Sequence, residues 1–121
     1  MSNITETLEG LLTVDGAMCA ALVDSSSGML LGKAGSGLDL DVAAAGNTEV
    51  IRAKLRTMHA LNLDDQIEDI LITLGKQYHL IRLLQSASGQ GLFLYLVLDK
   101  NRANLAMARR RLGILEGALT L

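Results

Sequence analysis

Few side chains in this 121-residue chain are of the kinds that do chemistry, and their spacing argues against most of it. His59, His79 and Cys19 could ligate a metal, but they fall on different elements at no ligand spacing, so no metal site is expected. The periodicity places His59 on a helix surface and His79 on a strand near the sheet rim. Cys19 sits mid-strand with no basic neighbour to draw out a thiolate, which predicts an inert core thiol. Asp64, Asp65, Glu68 and Asp69 lack the spacing of a calcium loop. They read either as a solvated helix-to-strand corner or as an electrostatic lock for a basic partner. Gly28 to Ala34 approaches a phosphate loop. It is one residue short between its glycines, lacks the Ser/Thr that holds magnesium, and runs along a strand, so a hairpin with Gly at a bulge is expected. Ser25, Ser26 and Ser27 have no base beside them in sequence. Arg109, Arg110 and Arg111 form the strong basic run. They point about 100° apart around a helix, either as solvated surface or as a docking patch for an acidic partner. No acid–base or nucleophile constellation remains, so the expectation is no enzyme and no cofactor.

The bulk properties point away from other classes as well. Eleven basic against 13 acidic residues give a formal charge of −2, no footprint for nucleic acid, and 2% aromatics supply no base-stacking platform. The longest apolar run, Leu92 to Leu98, is too short to span a bilayer. With 50% apolar residues and a mean hydropathy of +0.32, the chain has more apolar surface than a small monomer ordinarily needs. A subunit interface accounts for the surplus. One cysteine fits a reducing compartment, and the acidic N-terminus shows no signal peptide, so a cytoplasmic location is expected. Residues 1–121 read as one domain.

The elements follow from periodicity. Asn3 and Glu6 match a capping box, and Ile4, Leu8, Leu11 and Leu12 then share a helical face. Ala17 to Asp24 and Met29 to Ala34 read as a hairpin across Ser25–Gly28. A long helix from about Asp39 to Leu63, capped by Asp39 or Asp41, carries Ala44, Ile51, Leu55, Met58 and Leu61 as one stripe. Its Gly46 costs about 1 kcal/mol of propensity, which implies a close approach or a bend. Gln66 to Leu74, Gln77 to Leu84 and Leu92 to Asp99 form a meander. In the first run Ile70 and Ile72 take one face and Ile67 and Leu71 the other. Asn101 is expected to cap a last helix with Leu105, Ala108, Leu112, Leu115 and Leu119 inward. The order α-β-β-α-β-β-β-α predicts an α+β fold, a five-stranded antiparallel sheet with helices on both faces.

This order, the Asp24–Gly28 turn, the long middle helix and the stretch from Asp99 to Arg109 together resemble the Roadblock/LC7 domain over nearly the whole chain. The resemblance implies strand order 2-1-5-4-3, the middle helix on one face and the terminal helices on the other. It also implies a homodimer in which middle helices pack together and third strands pair edge to edge. Mapped here, the shared surface takes Ala44, Ile51, Leu55 and Met58 from the helix and Ile67, Asp69 and Leu71 from the strand. Bacterial members resemble regulators or scaffolds of Ras-like small GTPases, and others serve dynein and lysosomal scaffolds. The expected function is a non-enzymatic regulatory dimer that binds a small GTPase near Arg52 and Arg56. The alternative is a small-ligand sensory module or a general signalling adaptor.

Overall fold

A computed structural model describes residues 2–85 and 89–121. Its elements are α1 (Ile4–Leu11), β1 (Ala17–Asp24), β2 (Met29–Gly35), α2 (Leu40–Ala60), β3 (Asp69–Thr73), β4 (Gln77–Leu83), β5 (Leu92–Asp99) and α3 (Leu105–Ala118). The strands form one antiparallel sheet in the order β2-β1-β5-β4-β3, as expected. Ser86–Ser88 of the predicted β4–β5 connection lie outside the described residues.

Alternation on the two central strands divides the core. Ala20, Leu22, Leu94, Leu96 and Leu98 face α1 and α3, where Leu8, Leu11, Ala108 and Leu112 cover them. Cys19, Ala21, Val23, Phe93, Tyr95 and Val97 face the other way, towards Leu40, Ala44 and Ile51 of α2. Two-sided burial explains why β1 and β5 are apolar almost without a break. The small side chains of β1 let α2 lie close over β1 and β2, and that helix leaves the β4–β3 side of its face less covered.

Several expected details shift, each for a local reason. Asn3 makes no capping bond. Its amide instead donates to Ala118 O (2.8 Å) and accepts from Thr120 N (2.7 Å), clasping the C-terminus. Asn104, not Asn101, caps α3, accepting from Met107 N at 3.2 Å. The amide of Asn101 is held by Asp99 in the preceding turn. Asp39 caps α2 through the amides of Asp41 and Val42. The helix stops at Ala60 rather than Leu63 because Asn62 adopts a left-handed conformation (φ 56°), and Leu63 N then reaches back to Met58 O. β3 starts at Asp69 instead of Gln66, since its register begins at Asp69 opposite Arg82. Ile67 therefore lies outside the strand, its carbonyl accepting from the Gln85 side chain at 3.3 Å. The predicted bulge is present, with a register shift that leaves Leu31 unpaired beside Gly32. At Gly35 (φ 82°) an added Cβ would collide with the Met18 carbonyl, so the end of β2 requires glycine.

Candidate interaction surface

The long helix has two apolar stripes, and the sequence periodicity found the inner one. Ala44, Ile51 and Met58 are buried in their own protomer, so they hold α2 to its own sheet. Leu55 and Leu61, expected on the same stripe, are 44% and 61% exposed: Leu55 lies to one side of the buried line through Ile51 and Met58, and Leu61 lies past the end of the helix. The outer stripe is Val42, Gly46 and Val50, at spacings of four, with Val42 68% and Val50 37% exposed. A Cβ built on Gly46 meets nothing within 4 Å. No neighbour among the described residues therefore accounts for this glycine.

Between this stripe and the sheet runs a groove of about 510 Å³, with Leu38 and Asn47 on its wall and His79 and Tyr95 on its floor. The floor is polar and ordered. The Tyr95 hydroxyl lies 2.8 Å from His79 Nδ1, and His79 Nε2 lies 2.9 Å from Gln77 Oε1. Burial holds the His79 imidazole below its ordinary pKa and pushes the Tyr95 phenol up, while Asn47 on α2 pulls the phenol the other way. His79 is thus part of the floor rather than of the rim, whereas His59 is exposed on α2 as expected. Burial also pushes the Cys19 thiol up, as an inert core thiol requires.

The β3 edge continues the same surface. Ile70, Leu71 and Ile72 are half-buried, with β4 as the only neighbouring strand. The opposite edge, β2, is guarded by its bulge and Lys33; β3 has neither Pro nor Lys. Asp69 is engaged within the chain by a two-pronged pair with Arg109 (3.0 and 3.3 Å), which fastens α3 to β3. Ile67 and Leu55 meet in a separate cleft of about 310 Å³ with Leu83 and Phe93.

The two arginines expected to receive a partner have different roles. Arg52 is half-buried and donates to the carbonyls of Ser25 (3.2 Å) and Ser26 (2.7 Å), while Glu49 pairs with it at 3.0 Å. It ties the β1–β2 turn to α2. That turn is tight: Asp24 accepts from Ser26 and Ser27, and the Ser26 hydroxyl and amide hold its carboxyl below the usual range. Replacing Arg52 by Ala is expected to lower stability by about 1–2 kcal/mol in urea unfolding, the scale of hydrogen bonds from a charged donor. Arg56 is exposed, and no described residue pairs with it. Among the described residues no group of three or more His, Cys, Asp or Glu is placed to hold a metal. None of the described helices is long and apolar enough to cross a membrane.

Neither a protein-family model nor a curated protein sequence matches the chain. Its coordinates superpose on a Roadblock/LC7 domain from Streptomyces avermitilis with a TM-score of 0.81, at 14% identity, over 97% of this chain and 94% of that one. The chain has the Roadblock/LC7 fold. The gliding protein MglB of Thermus thermophilus has the same fold at a TM-score of 0.79 and 21% identity, over 96% of this chain and 84% of that one. MglB of Myxococcus xanthus follows at 0.78 and 17%, covering 95% and 92%. These likenesses are of fold. Within this architecture, the outer stripe of α2 is exposed and β3 stands at one edge of the sheet.

Proposed function

We propose that this chain is a homodimeric regulatory scaffold, whose paired α2 helices and joined β3 edges present one platform to a small Ras-like GTPase. The observation that carries self-association is the outer stripe Val42–Gly46–Val50, apolar, bare at its centre and continuous with the groove and the open β3 edge. A stable interface buries about 800 Å² per partner, roughly a ninth of the protomer's 6890 Å² surface. A stripe of Val and Gly suits the close approach of a second helix, and a symmetric pair covers both β3 edges, leaving only the guarded β2 edges free. Static light scattering at micromolar concentration is expected to give twice the protomer mass; a stable monomer overturns the reading.

The GTPase is the partner that the Roadblock/LC7 resemblance implies, and the scaffold reading needs no catalytic group on this chain. Arg56, exposed near the C-terminal end of α2, is the charge free to meet it. Titration of Ras-like GTPases from the source organism, in GDP and GTP-analogue forms, is expected to detect binding to the dimer. Arg56→Glu is expected to slow association on the order of tenfold at low salt. An unchanged rate with intact binding moves the partner elsewhere on the surface.

A further inference from the structure

The hydrogen bonds under α2 have a fixed direction. Gln77 Oε1 can only accept, so the proton of the His79 ring lies on Nε2. In a neutral ring Nδ1 is then an acceptor, and the Tyr95 hydroxyl donates to it at 2.8 Å. Asn47 reaches that hydroxyl from α2, and the Gln77 amide points at the sulfur of Met18 on β1. The wiring thus joins α2, β5, β4 and β1, and it works only while the ring is neutral. A second proton on Nδ1 would oppose the Tyr95 hydroxyl hydrogen. That hydrogen would have to turn away from the ring towards Asn47, whose amide would have to present its oxygen to accept it, while the rest of Tyr95 is buried beside Phe93, Val97 and Ile81.

Little around the ring would stabilise its charge. From β5 it faces Tyr95, and beyond it on β1 the buried thiol of Cys19. From β4 it faces uncharged Gln77, and from β3 its register neighbour is Ile72. From α2 the titratable group at the groove is Asp39, whose carboxylate is committed to the amides of Asp41 and Val42. In the single protomer the half-buried ring can still be solvated through the open groove. A second copy of α2 seated on the stripe removes that water.

We propose that His79, wired between Tyr95 and Gln77 on the floor of the α2 groove, makes self-association of this chain acid-labile. The inference rests on the dimer reading above. Closing the groove disfavours the cation, so the ring takes up its proton at lower pH in the dimer than in the free protomer. The dimer's advantage is complete above the value of the ring in the free protomer, which burial already holds below the ordinary imidazole value, and is lost as pH falls through it. Each ring weakens association by up to about tenfold per pH unit in that window, and the two rings of a dimer by up to about a hundredfold.

The test is sedimentation velocity over a dilution series at about pH 7.5 and about pH 5.5, which stays above the range of ordinary carboxylates. The wild type is expected to dissociate at concentrations where it is dimeric at the higher pH. His79→Gln keeps an acceptor and a donor but cannot titrate, and it is expected to hold its affinity across both. His59→Gln, altering the exposed histidine, is expected to leave the wild-type response in place. Dimers of pH-independent affinity, or a His79→Gln protein that still dissociates in acid, overturn the switch while leaving the dimer standing. A wild type monomeric at both pH values overturns the dimer and the switch with it. NMR titration of the wild-type His79 ring needs no variant. Its pKa is expected to fall as protein concentration rises through the dimer range, and a concentration-independent value overturns the proposal.

Discussion

Gly46→Leu is expected to turn the dimer into a monomer while leaving the protomer folded and no less stable. The two effects separate because of where the glycine sits. Beyond its own helix, no described residue lies within 4 Å of a Cβ at this position, and the residue is exposed in the middle of a regular helix. Leucine removes most of the roughly 1 kcal/mol propensity penalty of a mid-helix glycine. At a symmetric helix contact, however, the same side chain is inserted twice, at about 1–3 kcal/mol of overpacking each. The summed penalty weakens association by about 30-fold or more. Sedimentation velocity and thermal unfolding of the same sample read both effects. A variant that stays dimeric at micromolar concentration places the interface away from the stripe.

Glu116→Ala is expected to be the costliest single polar truncation in the fold, at about 3 kcal/mol. Its carboxylate is 8% exposed and pairs with Arg82 Nε at 2.6 Å, while its second oxygen accepts from Gln85 N at 2.7 Å. One side chain on α3 thus neutralises a charge on β4, only 24% exposed, and satisfies a backbone amide where that strand ends. Truncation leaves both without their partner, and breaking a buried pair from one side costs about 3–5 kcal/mol. The lower end applies here because Arg82 keeps some access to water. Urea unfolding measures the loss. The double replacement Arg82→Leu with Glu116→Leu is expected to recover much of it, since no unpaired charge remains. A loss below about 1 kcal/mol for Glu116→Ala would show that the pair is solvated in practice. The Asp69–Arg109 pair, whose arginine is 43% exposed, is the natural contrast, with an expected contribution under about 1 kcal/mol.

Neither feature could be reached from the periodicity. Glu116 falls on the same helical line as Ala108 and Leu112, but the sequence of its own helix points to no partner for a carboxylate there. Its role depends on Arg82, 34 residues earlier, and on how α3 crosses the sheet. Arg52 is a similar case. It was expected beside Arg56 as a partner contact, and the packing of the β1–β2 turn against α2 drew it inward to two carbonyls.

Local pattern was enough for the order of elements, the β1–β2 hairpin, the meander and the inward stripe of α3, and it narrowed the cap of α2 to Asp39 or Asp41. Each depends on side chains within a few residues of one another, where alternation or a helical period shows directly which face is apolar. It also showed that Gly46 needed a reason. Only packing shows that Ala44, Ile51 and Met58 are buried within the protomer, which leaves Val42, Gly46 and Val50 on the open face of α2. It likewise decided that β3 begins after Ile67 and that His79 is wired into the floor beneath α2. These outcomes depend on the angle at which α2 crosses the sheet and on strand register. Contacts between residues far apart in the chain set both, and no local pattern records them.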